Sequence, residues 1–141
     1  MTRHVLDVNV VIALVDPLHV HHERAHRWFA GRDDAWHTSP TVQNGALRIL
    51  GHPRYPNSQP LPVVIKSVSS LVSHHGHEFL PDGVSLLTGD VRTDRMLASS
   101  QVTDAYLLAL AASAGALLAT FDTKLVTAAV PGGGAALFPV P

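Results

Sequence analysis

The spacing of apolar positions divides the chain into short extended runs alternating with helical ones. Residues 5–6 begin a strand, and the apolar run from 10 to 15 fits either strand or helix, with Asn9 as an N-cap that favours the helix. In "HVHHERAHRWFAGR", Val20, Ala25, Trp28 and Phe29 fall on one side of an amphipathic helix that Gly31 stops. "AWHTSP" predicts a short strand ending at Pro40, and "TVQNGALRILGH" a helix started by Thr41 and stopped at Gly51. Prolines at 53, 56, 60 and 62 make the next stretch a loop, after which Val64, Ile65, Val68, Leu71 and Val72 recur at helical spacing. "EFLPDG" reads as strand and turn, and "DVRTDRMLASS" as a short exposed helix. "TDAYLLALAASAG", "ALLATFD" and "AALFPV" close the series as helix, strand and strand, with the glycines at 132 to 134 as a flexible turn.

Strands alternating with helices imply an α/β fold: a central, mostly parallel twisted sheet covered on both faces. Ligands of such sheets lie outside the carboxyl ends of the strands. Against that pattern one break stands out. Asp7 and Asn9 interrupt an apolar run, no Lys is near, and Arg3 is four residues back. A buried charge without a partner costs several kcal/mol, so Asp7 requires a partner from elsewhere in the chain, or a metal. Asp122 ends the strand "ALLATFD" and Asp104 opens the helix that feeds it, so all three acids converge at one edge of the sheet. Each of the latter two also has an ordinary reading: Asp104 favours a helix N-terminus, and Asp122 begins a turn beside Lys124.

Composition narrows the chemistry. At 141 residues the chain fits one domain, 1–141. With no cysteine it has neither disulfides nor thiolate metal sites, which suits a reducing cytoplasm. A formal charge of −1 gives no global basic field, so any nucleic acid must be held locally. Asp7 also interrupts anything resembling a signal peptide, and the mature chain is expected to start at Met1. The apolar run 105–121 is bounded by Asp104 and Asp122 and broken by Ser113 and Gly115, which makes it a buried helix and strand and not a membrane span. Among ten histidines, His22 and His26 stand four apart, as two zinc ligands would, but no third ligand is tied to them, and histidines at exposed helix and loop positions are usually solvated. Asp33, Asp34, Asp90 and Asp94 read as surface charges.

Four segments, "LDVNVVIAL" (6–14), "SPTVQNGALRIL" (39–50), "VTDAYLLALA" (102–111) and "LLATFD" (117–122), together resemble the PIN domain family and, within it, the VapC type of toxin ribonuclease. The resemblance spans nearly the whole chain. It implies an α/β/α sandwich and an acidic cluster that binds Mg²⁺ or Mn²⁺ and cuts RNA endonucleolytically. It also implies a homodimer, a VapB-type antitoxin partner that restrains growth inhibition, and structured RNA such as a tRNA or rRNA loop as substrate. Asp7, Asp104 and Asp122 match three of the family's acids as metal ligands. Asn44 stands where many members carry a further carboxylate, and the four residues together form the expected catalytic set. Thr120 is a possible assistant.

The residues themselves agree with this reading. Oxygen donors without sulfur suit hard divalent ions, and clustered carboxylates are tolerable chiefly with a cation among them. Two other functions compete. An aspartyl phosphatase using Mg²⁺ would need a second acid where Asn9 stands, and a catalytically impaired RNA-binding or interaction module would be consistent with Asn44.

Overall fold

In the computed structural model, which describes residues 2–141, five short strands build one all-parallel sheet. They are β1 (His4–Leu6), β2 (Trp36–Thr38), β3 (His77–Phe79), β4 (Leu117–Thr120) and β5 (Leu137–Pro139), in the order β3-β2-β1-β4-β5. Leu6 pairs with Ala119, so β1 and β4 end side by side at the centre of the sheet. Both strands are almost wholly buried, as parallel strands covered on two faces should be.

The helices form two groups. Helices α1 (Val8–Val15), α2 (His22–Ala30), α3 (Pro40–Leu50) and α4 (Leu61–Val72) pack through α1, while α5 (Val102–Ser113) packs against β4 and the short α6 (Gly133–Ala136). Right-handed crossovers step one way from β1 to β3 and the other way to β4 and β5, which places the groups on opposite faces of the sheet. The result is an α/β/α sandwich.

Several boundaries differ from expectation for local reasons. The run after β1 is a helix from Val8, and its cap is Asp7, not Asn9: Asp7 Oδ1 accepts the Val8 N–H at 2.6 Å. Helix α3 starts at Pro40 and not at Thr41, because Ser39 caps it and proline is pre-organised for the first helical position. Helix α4 likewise begins inside the proline-rich loop, at Leu61 after Pro60, with Pro62 tolerated in its first turn. The expected exposed helix at 90–100 is instead two 3₁₀ turns, Thr93–Arg95 and Ser99–Gln101. The glycine turn is only partly a turn: Gly132 takes φ +72°, and Gly133 and Gly134 already belong to α6.

His22 and His26 are not simply solvated. Their ring N–H groups donate to the carbonyls of Ala13 at 2.7 Å and Leu14 at 2.9 Å, docking α2 onto the last turn of α1. Asp34 is also more than a surface charge, since it is half-buried and pairs with Arg32 at 2.7 Å. Among the described residues, no helix is long and apolar enough to cross a membrane.

Candidate active site

The strand order reverses direction between β1 and β4, and in open parallel sheets the crevice at such a switch point is where ligands bind. Asp7 follows β1 there and is 5% exposed. Its backbone N–H donates to Ala119 O at 2.9 Å, which fixes it against β4. The distant partner that the sequence required is Thr120, the last residue of β4, whose hydroxyl donates to Asp7 Oδ2 at 2.8 Å.

That hydroxyl is fully used. It accepts the Asn9 side-chain N–H at 3.2 Å and the Asp122 backbone N–H at 3.0 Å, so its single proton must point to Asp7. Asn9 completes the link by accepting the Phe121 N–H on Oδ1 at 3.2 Å. One buried hydroxyl and one amide thus tie the start of α1 to the end of β4. The sequence marks Asn9 as a break in the apolar run and a candidate helix cap but does not show this link; its signal is an amide two residues after an unpaired acid.

Beside this junction lies a cleft of about 830 Å³ whose polar lining includes Asp7, Asn44, Asp104 and Arg48, with Val8, Ile12 and Leu47 among its apolar walls. Asp104 reaches it from the first turn of α5, and Asn44 from the exposed face of α3. Helix α3 comes close because residue 45 is glycine: a Cβ there would stand 3.0 Å from Val8 Cγ2. The N-terminal turn of α3 is held by Asp82, which accepts the Thr41 hydroxyl at 2.8 Å and its N–H at 3.2 Å.

The cleft therefore brings Asp7, Asn44 and Asp104 together. Asp122 lies just past β4, outside the cleft lining, with its Oδ1 accepting the Lys124 N–H at 2.8 Å in the turn that the sequence suggested. Its charge still reaches both other acids. Burial pushes the Asp7 carboxyl up, the Thr120 and Val8 hydrogen bonds pull it down, and the charges of Asp104 and Asp122 push it up again, to about 6. Asp104 is also raised, by burial and then by Asp122.

Carboxylates raised by burial and by neighbouring negative charge, Asp7 and Asp104, in a cleft that offers oxygen donors without sulfur, fit a hard divalent cation. The manner of fit is restricted. No group of three His, Asp or Glu side chains among the described residues is placed to hold one ion. The arrangement suits an ion held by one or two carboxylates that keeps several waters, as Mg²⁺ does, and does not suit an all-protein cage.

A crevice bearing Asp7 and Asp104 at the switch point of a five-stranded parallel sheet is where an open α/β domain binds its ligand, and the chain matches the PIN domain family over residues 4–131. It is 40% identical to ribonuclease VapC44 of Mycobacterium tuberculosis, an alignment covering 92% of this chain and 93% of that protein. It is also 40% identical to ribonuclease VapC39 of the same organism, over 90% of this chain and 94% of that one. The crystal structure of M. tuberculosis VapC20, described as a sarcin–ricin loop cleaving toxin, has the same fold, with a TM-score of 0.61 at 14% identity over 91% of this chain and 96% of that one. The chain belongs to the PIN domain family, among its VapC-type ribonucleases.

Proposed function

We propose that this chain is a Mg²⁺-dependent endoribonuclease, with Mn²⁺ as the alternative ion, and the toxin of a VapBC-type pair. Residues 1–141 form one PIN-like ribonuclease domain that acts in the cytoplasm as a homodimer on structured RNA, such as a tRNA or rRNA loop. The observation that carries the reading is a buried carboxylate, Asp7, fixed by Thr120 and the Val8 N–H at the switch point of the sheet and sharing one cleft with Asp104. Forty per cent identity to ribonucleases over nine-tenths of the chain supports the reaction class.

Asp7 and Asp104, which share the cleft, are the residues that would hold the ion directly. A divalent cation bound there supplies positive charge against the phosphodiester as its own charge develops, and lowers the pKa of a bound water. Thr120 and the Val8 N–H fix both oxygens of Asp7, so that carboxylate meets its ligand without reorganising. Asp122, just past β4, would act as a ligand through a water or orient the water that attacks phosphorus. Asn44 contributes an amide where many relatives place an acid, which limits the negative charge facing the RNA. An arginine of a VapB-type antitoxin, seated among Asp7, Asp104 and Asp122, replaces the cation in the inhibited complex.

The test is to express the chain briefly and map new RNA 5′ ends across the transcriptome, with Asp104→Ala as control. Discrete cleavage sites that vanish in Asp104→Ala are expected. An unchanged pattern of ends in that variant would assign the cuts to another nuclease.

A further inference from the structure

The carboxylates of the site repel the polymer on which it is proposed to act, and a chain of formal charge −1 has no broad field to compensate. Most cations near the sheet are already engaged. Arg3 donates to Ala114 O, Arg24 to the carbonyls of Val140 and Pro141, and Arg32 pairs with Asp34. Arg48 differs from these. Among the described residues it is the one Lys or Arg that lines the carboxylate cleft; it is exposed, and its side chain makes no hydrogen bond or ion pair with any of them.

Its setting keeps it free. Arg48 shares the cleft with Asp7 and Asp104 but pairs with neither. The residue one turn earlier on the same face of α3 is Asn44, so no carboxylate of that helix neutralises it at the i, i+4 spacing. The helix carrying it is fixed at its N-terminus by Ser39 and Asp82 and is packed on α1 at Gly45 and Val8. A guanidinium left unpaired on a rigid element, with an amide donor beside it, matches a phosphate: its planar fork donates two parallel hydrogen bonds and keeps its charge at any working pH.

Resting on the endoribonuclease reading above, we infer that Arg48, with the Asn44 amide beside it, binds a backbone phosphate of the RNA flanking the cleaved bond. It is a positioning residue that offsets the repulsion between acids and substrate.

Binding separates this role from chemistry. The full chain in EDTA is titrated with a fluorescein-labelled RNA hairpin carrying a mixed-sequence loop, and anisotropy is followed across a range of KCl concentrations. Arg48→Ala is expected to weaken binding about tenfold at low salt, and to reduce the slope of log K against log salt by about 0.7, the increment for one single-stranded phosphate contact. Arg48→Lys keeps the charge and should keep the slope. Arg54→Ala removes an exposed charge outside the cleft and should change neither quantity. An unchanged slope in Arg48→Ala, with wild-type binding and cleavage intact, overturns the Arg48 assignment and leaves the endoribonuclease reading standing. Unchanged RNA binding coupled with loss of a co-expressed protein partner would move Arg48 to a protein interface and equally overturn it. A wild-type chain that neither binds nor cleaves RNA overturns both.

Discussion

Asp7 carries a burial cost that no charged neighbour in the sequence relieves, and the site follows from how the fold relieves part of it. Because its folded pKa of about 6 lies above the ordinary 3.8, the folded, metal-free chain holds this proton more tightly than the unfolded chain does. Stability of the metal-free protein should therefore fall as pH rises from about 4 to about 6, by up to about 3 kcal/mol from this group. Asp7→Asn removes the ionisation, and although its amide N–H faces one of the two donors that Asp7 accepts from, its urea unfolding in EDTA should lack the fall in stability between about pH 4 and about pH 6 that wild type shows, and it should be catalytically silent. The same pH dependence in both proteins would mean that the carboxylate is not held at a cost. Thr120→Val keeps the shape but removes the hydroxyl that serves Asp7, Asn9 and the Asp122 N–H. It should cost about 1 to 3 kcal/mol by the same measurement, since the buried groups lose their common partner. The need for a partner was legible in the sequence, but the partner's identity was not. Thr120 lies 113 residues from Asp7, and nothing local marks a strand-end threonine as the donor.

At the level of elements, periodicity found the strands and the long helices because burial imposes those periods directly. It failed where one residue overrides the pattern. Asp7 caps α1 one residue after β1, and Pro60 and Pro62, read as loop markers, suit a helix's first turn. Exposed 90–100 has no buried stripe to impose a helix, and it forms 3₁₀ turns. Helices α1 and α3 both line the cleft, and one of the places where they touch is Gly45 against Val8. Gly45→Val adds branched bulk where a Cβ alone already stands 3.0 Å from Val8 Cγ2, next to the residue capped by Asp7. The variant should fold with a loss of about 1 to 3 kcal/mol and lose more activity than stability, measured as RNA cleavage against thermal unfolding. Full activity in a destabilised variant would show that the α1–α3 spacing does not govern the site.

For the whole molecule, the strand order carries the function. Both β1 and β4 end at the reversal, so acids from positions 7, 104 and 122 interact electrostatically although they are far apart in sequence. The sequence made their convergence legible through the βα alternation. It left open how closely they approach, and in the structure Asp122 influences the cleft without lining it. Magnesium titration by calorimetry on the metal-free chain, with Asp7→Asn and Asp104→Asn alongside, tests this arrangement most directly. The wild type should bind Mg²⁺, and each variant should bind at least about tenfold more weakly, as expected on losing a carboxylate that the ion needs. Equal Mg²⁺ affinity in all three proteins would contradict the claim that these acids form a cation site.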